Sequence, residues 1–157
     1  MPRYRQGGSS SVREIITTID IGASPERVWR VLTDFASYPK WNPFLRGIHG
    51  SLEQGARLRV RMRMRRGGRA RIISPTVSKI IPSAELRWRG KLFFKGLSDS
   101  EHMFIMVPQG LKGTRFIQRK RFSGLLVPLL MPFIVRKTYR SFEAMNRALK
   151  KAAEVKA

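Results

Sequence analysis

Two neighbouring segments, Ser24-Pro25-Glu26-Arg27-Val28-Trp29 and Asp34-Phe35-Ala36-Ser37-Tyr38-Pro39-Lys40-Trp41-Asn42-Pro43-Phe44, carry the most structural information in this chain. Ser24 has a side-chain oxygen that can accept a hydrogen bond from the first turn of a helix. Pro25 suits the first helical position, and Glu26 interacts favourably with the positive end of the helix dipole. The first segment therefore predicts the start of a capped helix.

The spacing of apolar residues extends this helix, and a proline ends the helical region. Val28, Leu32 and Phe35 recur at steps of four and three residues, which places them on one helical face. Asn42 precedes Pro43, and the proline ring disfavours the helical conformation at the residue before it. We therefore expect a helix, a short second helical turn and then an extended strand.

The rest of the chain alternates between apolar and polar residues in segments of strand length, and it ends in a helical pattern. The predicted strands are residues 12–21, 44–51, 57–65, 69–80, 85–89, 98–107 and 114–122. Phe142, Met145, Leu149 and Ala152 follow three- and four-residue steps, which predicts a helix over residues 136–154. The order is one strand, two short helices, about six more strands and a long helix, which is an α+β arrangement.

This order, together with the two quoted segments, resembles the SRPBCC superfamily over residues 12–153. These START-like or helix-grip proteins include polyketide cyclase-like domains. The resemblance implies that a curved antiparallel sheet of about seven strands wraps around the C-terminal helix. It also implies an apolar cavity between sheet and helix, which binds a small hydrophobic ligand, either lipid-like or of the polyketide/aromatic kind.

Length and composition are compatible with one domain in a reducing compartment. The chain has 157 residues and no cysteine, which excludes disulfides and thiol nucleophiles. Residues 1–11 combine glycine, serine and arginine without an apolar run, so we expect a disordered segment rather than a secretory signal. Residues 12–157 are expected to form a single START-like domain, and we expect a cytoplasmic location.

Residues that could carry catalysis are few. His49 and His102 have no partner at metal-ligand spacing, and no phosphate-binding loop or nucleophile elbow is present. We therefore predict no metal and no cofactor, and we favour binding over catalysis. The enzymatic alternative is a polyketide cyclase-like activity in which His102 assists proton transfer. The favoured interpretation of His102 is a histidine hydrogen-bonded within the cavity wall.

The last two predicted strands would point polar groups towards the cavity. His102 shares its strand face with Phe104, while Phe116, Gln118 and Lys120 share one face of the next strand. An inward ammonium needs an anionic ligand or an acidic neighbour, because burying it alone costs several kcal/mol. The alternative is that Lys120 reaches solvent at the end of the strand.

The predicted ligand-binding set combines these residues with aromatic side chains that are typical of an apolar pocket. It comprises Trp41, Phe44, Trp88, His102, Phe104, Phe116, Gln118 and Lys120. We expect the pocket to open near residues 124–133, where Pro128 and Pro132 favour an irregular segment over a regular helix.

The net charge of +22 is the unusual feature of the composition. Five arginines alternate with apolar residues and must share a solvent face; this arginine stripe comprises Arg57, Arg59, Arg61, Arg63 and Arg65. Such a surface attracts polyanions, so weak non-specific contact with nucleic acid, with RNA or the ribosome, or with an anionic membrane is one interpretation. The alternative is that the charge serves only solubility.

Overall fold

The computed structural model describes residues 3–6, 12–63, 67–91 and 99–156, with residues 3–6 and 12 described by their backbone alone. Nine strands are assigned in this part of the chain: β1 Arg3–Gln6, β2 Val12–Ile21, β3 Leu45–His49, β4 Arg59–Met62, β5 Arg71–Ile73, β6 Thr76–Ile81, β7 Glu85–Lys91, β8 Asp99–Gln109 and β9 Gly113–Ser123. The helices are α1 Pro25–Thr33, α2 Tyr38–Trp41 and α3 Val127–Glu154, with a 3-10 turn at Phe35–Ser37.

The strands form antiparallel sheets whose inner side packs on α3. The larger sheet has the order β1-β2-β9-β8-β7-β6, and the smaller sheet has the order β3-β4-β5. Phe142, Met145 and Leu149 of α3 are fully buried in the same core as the inward side chains of β8 and β9. The predicted α+β class, with a long C-terminal helix against antiparallel strands, is confirmed.

The helical connection after β2 forms as its sequence predicts. Ser24 caps α1 by accepting a hydrogen bond from the Arg27 backbone N–H, at 3.3 Å. Val28 and Leu32 are fully buried. Asn42 has an extended backbone, and its side-chain Oδ1 accepts hydrogen bonds from the backbone N–H groups of Phe44 and of Leu45, the first residue of β3. This turn directs the chain into β3.

Pro75 divides the predicted strand over residues 69–80 into β5 and β6. The first piece pairs with β4 and the second with β7, so the strands are distributed over two sheets rather than one. Proline has no N–H to donate to a strand neighbour. Its carbonyl accepts a hydrogen bond from the Leu58 N–H instead, at 2.8 Å, and an isolated bridge joins Arg57 to Thr76. The two sheets therefore meet along this segment.

Part of the N-terminal segment predicted to be disordered is a strand. Arg3–Gln6 pairs with residues 13–16 of β2 in antiparallel register. This strand covers the edge of β2 that would otherwise present unpaired backbone groups. For these four residues the structure differs from the prediction, whereas residues 1–2 and 7–11 lie outside the described residues.

The last helix begins earlier than predicted. It starts at Val127 rather than near Arg136, and it contains both Pro128 and Pro132. Pro128 occupies the first turn, where no backbone N–H is needed, and Pro132 removes only one internal hydrogen bond. Buried Val127 and Met131 attach this first part to the core. The expectation of an irregular segment over residues 124–133 is therefore wrong from Val127 onwards.

We expect the buried face of α3 to be essential for stability. Leu149 is fully buried, so Leu149→Ala should lower the free energy of unfolding by about 2–5 kcal/mol through lost burial and a residual cavity. Arg147→Ala, at an exposed position two residues earlier, should change it by less than about 0.5 kcal/mol. Urea denaturation of both variants measures the difference. Equal stability of the two would contradict this packing.

Candidate functional site

The inner faces of β8 and β9 carry the predicted polar residues among aromatic ones. His102 and Phe104 are buried on β8, and Phe116 and Gln118 are buried on β9. The register pairs His102 with Lys120 and Phe104 with Gln118. The alternation predicted for both strands is therefore present, and the polar side chains lie next to one another on the side facing α3.

Aromatic rings enclose the imidazole of His102 on both faces. Its ring centroid lies 4.1 Å from that of Phe104 and 4.7 Å from that of Phe142, both nearly parallel. Trp88 meets the imidazole edge-on at 5.8 Å. Trp88 and Phe116 also contact Phe104, at 5.0 and 6.3 Å between centroids. This part of the interior is consequently packed with rings.

A chain of side-chain hydrogen bonds links the imidazole to three other elements. His102 Nε2 lies 2.9 Å from Gln118 Oε1, and Gln118 Nε2 donates to Asn146 Oδ1 at 2.7 Å. Asn146 Nδ2 in turn donates to Thr17 Oγ1 at 3.1 Å. All four residues are buried. The chain therefore connects β8, β9, α3 and β2 through the core.

The backbone of α3 determines the direction of this chain. Gln118 Nε2 also donates to the carbonyl oxygen of Phe142, at 3.3 Å. A carbonyl can only accept, so the Gln118 amide cannot be turned over, and its Oε1 must face His102. The neutral imidazole must then carry its proton on Nε2. His102 is thus held in one tautomer, with Nδ1 left as the acceptor nitrogen.

The environment keeps His102 uncharged at neutral pH. Burial lowers the pKa of the imidazole well below its usual 6.5, and the nearby positive charge of Lys120 lowers it further. The hydrogen bond to Gln118 opposes these effects only in part. The imidazole is therefore a neutral polar group stacked between two rings and hydrogen-bonded to Gln118.

Lys120 carries a positive charge in a largely apolar setting. Its register partners are His102 and Ile15, and its Nζ lies 5.4 Å from the ring centroid of Phe122. Burial lowers the pKa of the ammonium to about 8. Within the described residues no acidic side chain pairs with it, and no hydrogen bond to it is formed. The cation–π contact is its main compensation.

Trp41 and Phe44 belong to the same apolar interior at the end of the helical connection. Phe44 is buried, and Trp41 packs against the core cluster while contacting the Tyr38 ring at 4.9 Å. The indole Nε1 of Trp41 is buried, and none of the described groups accepts its hydrogen. A buried N–H without an acceptor costs free energy, as does an unpaired ammonium. Trp41 and Lys120 therefore both have unused donor capacity.

Two members of the hydrogen-bond chain, Thr17 and Asn146, are not among the residues predicted from the sequence. Asn146 lies one turn after Phe142 on the apolar face of α3, and Thr17 shares the inward parity of Ile15 and Ile21 on β2. A polar residue at a position expected to be buried indicates that its side chain needs a hydrogen-bond partner. That partner is on another element, so its identity depends on the tertiary structure.

The arginine stripe begins just before β4 and continues along this strand. Arg57, Arg59 and Arg61 are exposed, whereas the intervening Leu58 and Val60 are buried. The last two arginines of the stripe differ from the first three. Arg63 is partly buried, with a buried Nε that has no acceptor among the described residues, and Arg65 lies outside the described residues.

Arginines of the stripe differ from those of the larger sheet in their partners. On the outer face of the larger sheet, Glu101 pairs with Arg89 at 2.7 Å and Glu14 with Arg119 at 2.6 Å. No acid of the described residues lies within ion-pair distance of the exposed stripe arginines. Arg59 and Arg61 border a groove of about 440 Å³ on the outer face of the smaller sheet, which is also lined by His49, Ala70 and Ile72.

In residues 12–63, 67–91 and 99–156, no group of three or more histidine, aspartate or glutamate side chains could hold a metal ion. Among the helices of the described residues, none is both long and apolar enough to span a bilayer.

Solved structures with the same fold cover nearly the whole chain. A START superfamily protein from Mycobacterium smegmatis has a TM-score of 0.71 at 21% identity, covering 90% of this chain and 97% of its own. The Zhui aromatase/cyclase from Streptomyces sp. R1128 has a TM-score of 0.73 at 16% identity, covering 91% and 94%. Truncated norcoclaurine synthase from Thalictrum flavum has a TM-score of 0.71 at 13% identity, covering 98% and 100%. These likenesses show the fold.

The sequence gives a more specific relationship. A search among curated proteins finds no match. Residues 13–154, however, match the sequence profile of a family described as polyketide cyclase / dehydrase and lipid transport. This match spans β2 to the end of α3, the region in which the helix-grip fold is formed. The chain therefore belongs to the polyketide cyclase / dehydrase and lipid transport family.

Proposed function

We propose that this protein binds a small hydrophobic molecule, lipid-like or of the polyketide/aromatic kind, between the larger sheet and α3. The wall there combines aromatic side chains with a few fixed polar groups, which is typical of binding sites for apolar ligands. The family includes cyclases and lipid transport proteins, and its structural neighbours include an aromatase/cyclase. A location in the cytoplasm is part of the same proposal.

The unpartnered ammonium of Lys120 is the observation that supports the proposal most directly. Lys120 is partly exposed, and its strand neighbours His102 and Ile15 supply no counter-charge. An anionic oxygen from a ligand would provide that counter-charge. The buried indole N–H of Trp41 also lacks an acceptor. Both groups are donors, so the ligand that suits them carries an acidic or acceptor-rich head on an apolar body.

The direct test is to identify what the protein retains. Native mass spectrometry of freshly purified protein should show a bound species, and denaturation should release a hydrophobic compound with an acidic or acceptor group. A protein that emerges empty and binds no member of a panel of fatty acids and aromatic acids would contradict ligand binding altogether.

We predict that Lys120 discriminates between acids and neutral analogues. Lys120→Met keeps the length and apolar character of the side chain while removing the charge. It should weaken binding of dodecanoic acid about tenfold or more, because a charged hydrogen bond is lost, but leave dodecanol binding nearly unchanged. Competition with a fluorescent fatty acid measures both affinities. Equal weakening of acid and alcohol would show that Lys120 acts through packing alone.

The pKa of Lys120 predicts a change of stability with pH in the empty protein. Unfolding returns the ammonium from a pKa of about 8 to its ordinary 10.5, so between these values the unfolded chain binds more protons. The contribution of Lys120 to the free energy of unfolding should therefore rise with pH across this window. Lys120→Met should be more stable than the wild type at pH 7, and this advantage should shrink towards pH 10.5. A constant difference between the two would contradict the shifted pKa.

A polyketide cyclase-like activity is the enzymatic alternative. In such a reaction Lys120 would stabilise an enolate oxygen, while the neutral His102 would orient a ligand hydroxyl through its acceptor Nδ1. The Nε2–H of His102 is committed to Gln118, which favours orientation over proton transfer. The structure therefore provides better support for binding than for acid–base catalysis.

A second candidate function is weak contact with polyanions through the arginine stripe. One observation supports this function. The exposed arginines of the stripe have no acidic partner among the described residues, whereas arginines of the larger sheet pair with Glu101 and Glu14. Phosphates would relieve the repulsion among Arg57, Arg59 and Arg61, and the described stripe offers no aromatic ring to read a base. Such binding would be electrostatic and independent of sequence.

We predict that replacing Arg57, Arg59 and Arg61 by glutamine reduces the salt dependence of RNA binding. The slope of log affinity against log salt should decrease by about three units, because about one counterion is released per phosphate contact. Fluorescence anisotropy at several salt concentrations measures it. The buried face of β4 is unchanged, so the variant should fold normally. If neither affinity nor slope changes, the stripe serves only solubility.

A further inference from the structure

The first half of α3 exposes large apolar side chains that the core does not require. Leu129 is 69% exposed and Phe133 is 75% exposed, and Leu125, two residues before the helix, is 79% exposed. On the opposite side of the same turns, Val127 and Met131 are buried. Val127 and Met131 already supply the buried face of this part of the helix. The exposed apolar side chains therefore do not contribute to the core.

Cations continue the same exposed face. At about 100° per residue, Leu129, Phe133, Arg136, Lys137 and Arg140 fall within an arc of about 100°. All five are exposed. The sequence contains no aspartate or glutamate between Glu101 and Glu143. This helix-face patch, defined by these five residues, therefore has an apolar end followed by a purely cationic end.

We propose that the helix-face patch docks on the surface of an anionic phospholipid bilayer. A helix that lies on a membrane buries its apolar side chains at the level of the acyl chains while its basic side chains contact the headgroups. Leu129 and Phe133 supply the first contact, and Arg136, Lys137 and Arg140 supply the second. This docking does not require the interior ligand site, so it can fail or hold independently of that proposal.

The charge of the patch distinguishes a bilayer from other partners. Docking of a second copy would bring three cations of each patch near a molecule of net charge +22, which opposes association. Nucleic acid would satisfy the cations but offers no apolar layer to receive Leu129. Only a surface with both negative headgroups and an accessible apolar layer complements the two ends of the patch together.

Vesicle co-sedimentation tests the proposal with matched variants. The wild type should bind phosphatidylcholine vesicles that contain phosphatidylserine, and bind pure phosphatidylcholine vesicles far more weakly. Replacing both Leu129 and Phe133 by glutamine should weaken binding at least tenfold. Leu111→Gln should have little effect, because this residue is 99% exposed in the β8–β9 turn and is not part of the helix-face patch.

Charge variants separate the patch from the arginine stripe. Glutamine at Arg136, Lys137 and Arg140 should weaken vesicle binding about a hundredfold, at about fivefold per cation. The triple stripe variant Arg57→Gln, Arg59→Gln, Arg61→Gln removes the same charge and should have a much smaller effect. An equal or larger loss in the stripe variant would overturn the proposal.

A local probe reports insertion directly. Phe133→Trp should add blue-shifted emission when phosphatidylserine vesicles are present, whereas Leu111→Trp should not. Three results would each overturn the proposal: no binding of the wild type to anionic vesicles, no shift at position 133, or unchanged binding after loss of Leu129 and Phe133. Concentration-dependent dimerisation that these two substitutions abolish would instead identify a second copy as the partner.

Discussion

The structure depends on the packing of one side of α3 against the inner face of the larger sheet. Phe142, Met145 and Leu149 fill this contact, and they follow one another at steps of three and four residues. The same contact places Asn146 against Gln118 and Thr17. The apolar side chains set the distance of the helix from the sheet and its rotation about its own axis. The hydrogen-bond chain can form only when both are correct.

This chain of hydrogen bonds fixes the position of α3 and the state of His102. The amide groups of Gln118 and Asn146 both have partners, so the cost of burying them is offset, and a shift of the helix by one residue would leave several donors unpaired. His102 is consequently fixed in tautomer and kept neutral. Lys120, two residues beyond Gln118 on the same strand face, receives no such partner from the described residues. The contrast between these neighbours supports a ligand role for the lysine.

The small number of acidic residues determines which surface cations can form ion pairs. With 10 acidic residues against 32 basic ones, few arginines can be paired, and several of the acids lie on the outer face of the larger sheet. In the part of the chain that the structure describes, the stripe arginines of the smaller sheet and the cations of the helix-face patch have no acidic partner. Two such surfaces differ in their apolar content: the stripe borders a shallow groove, whereas the α3 face begins with two large apolar side chains.

The sequence by itself determined the elements that depend on local geometry. The cap at Ser24, the exit at Asn42 and the alternation in β4, β8 and β9 follow from spacing and backbone preference, and the family resemblance was correct. Only the tertiary structure decided what depends on distant partners: the pairing of Asn146 with Gln118, the division of the strands at Pro75, and the helical state of residues around Pro132. Local patterns specify which face of an element is apolar, but contacts between elements determine which polar groups on that face find a partner.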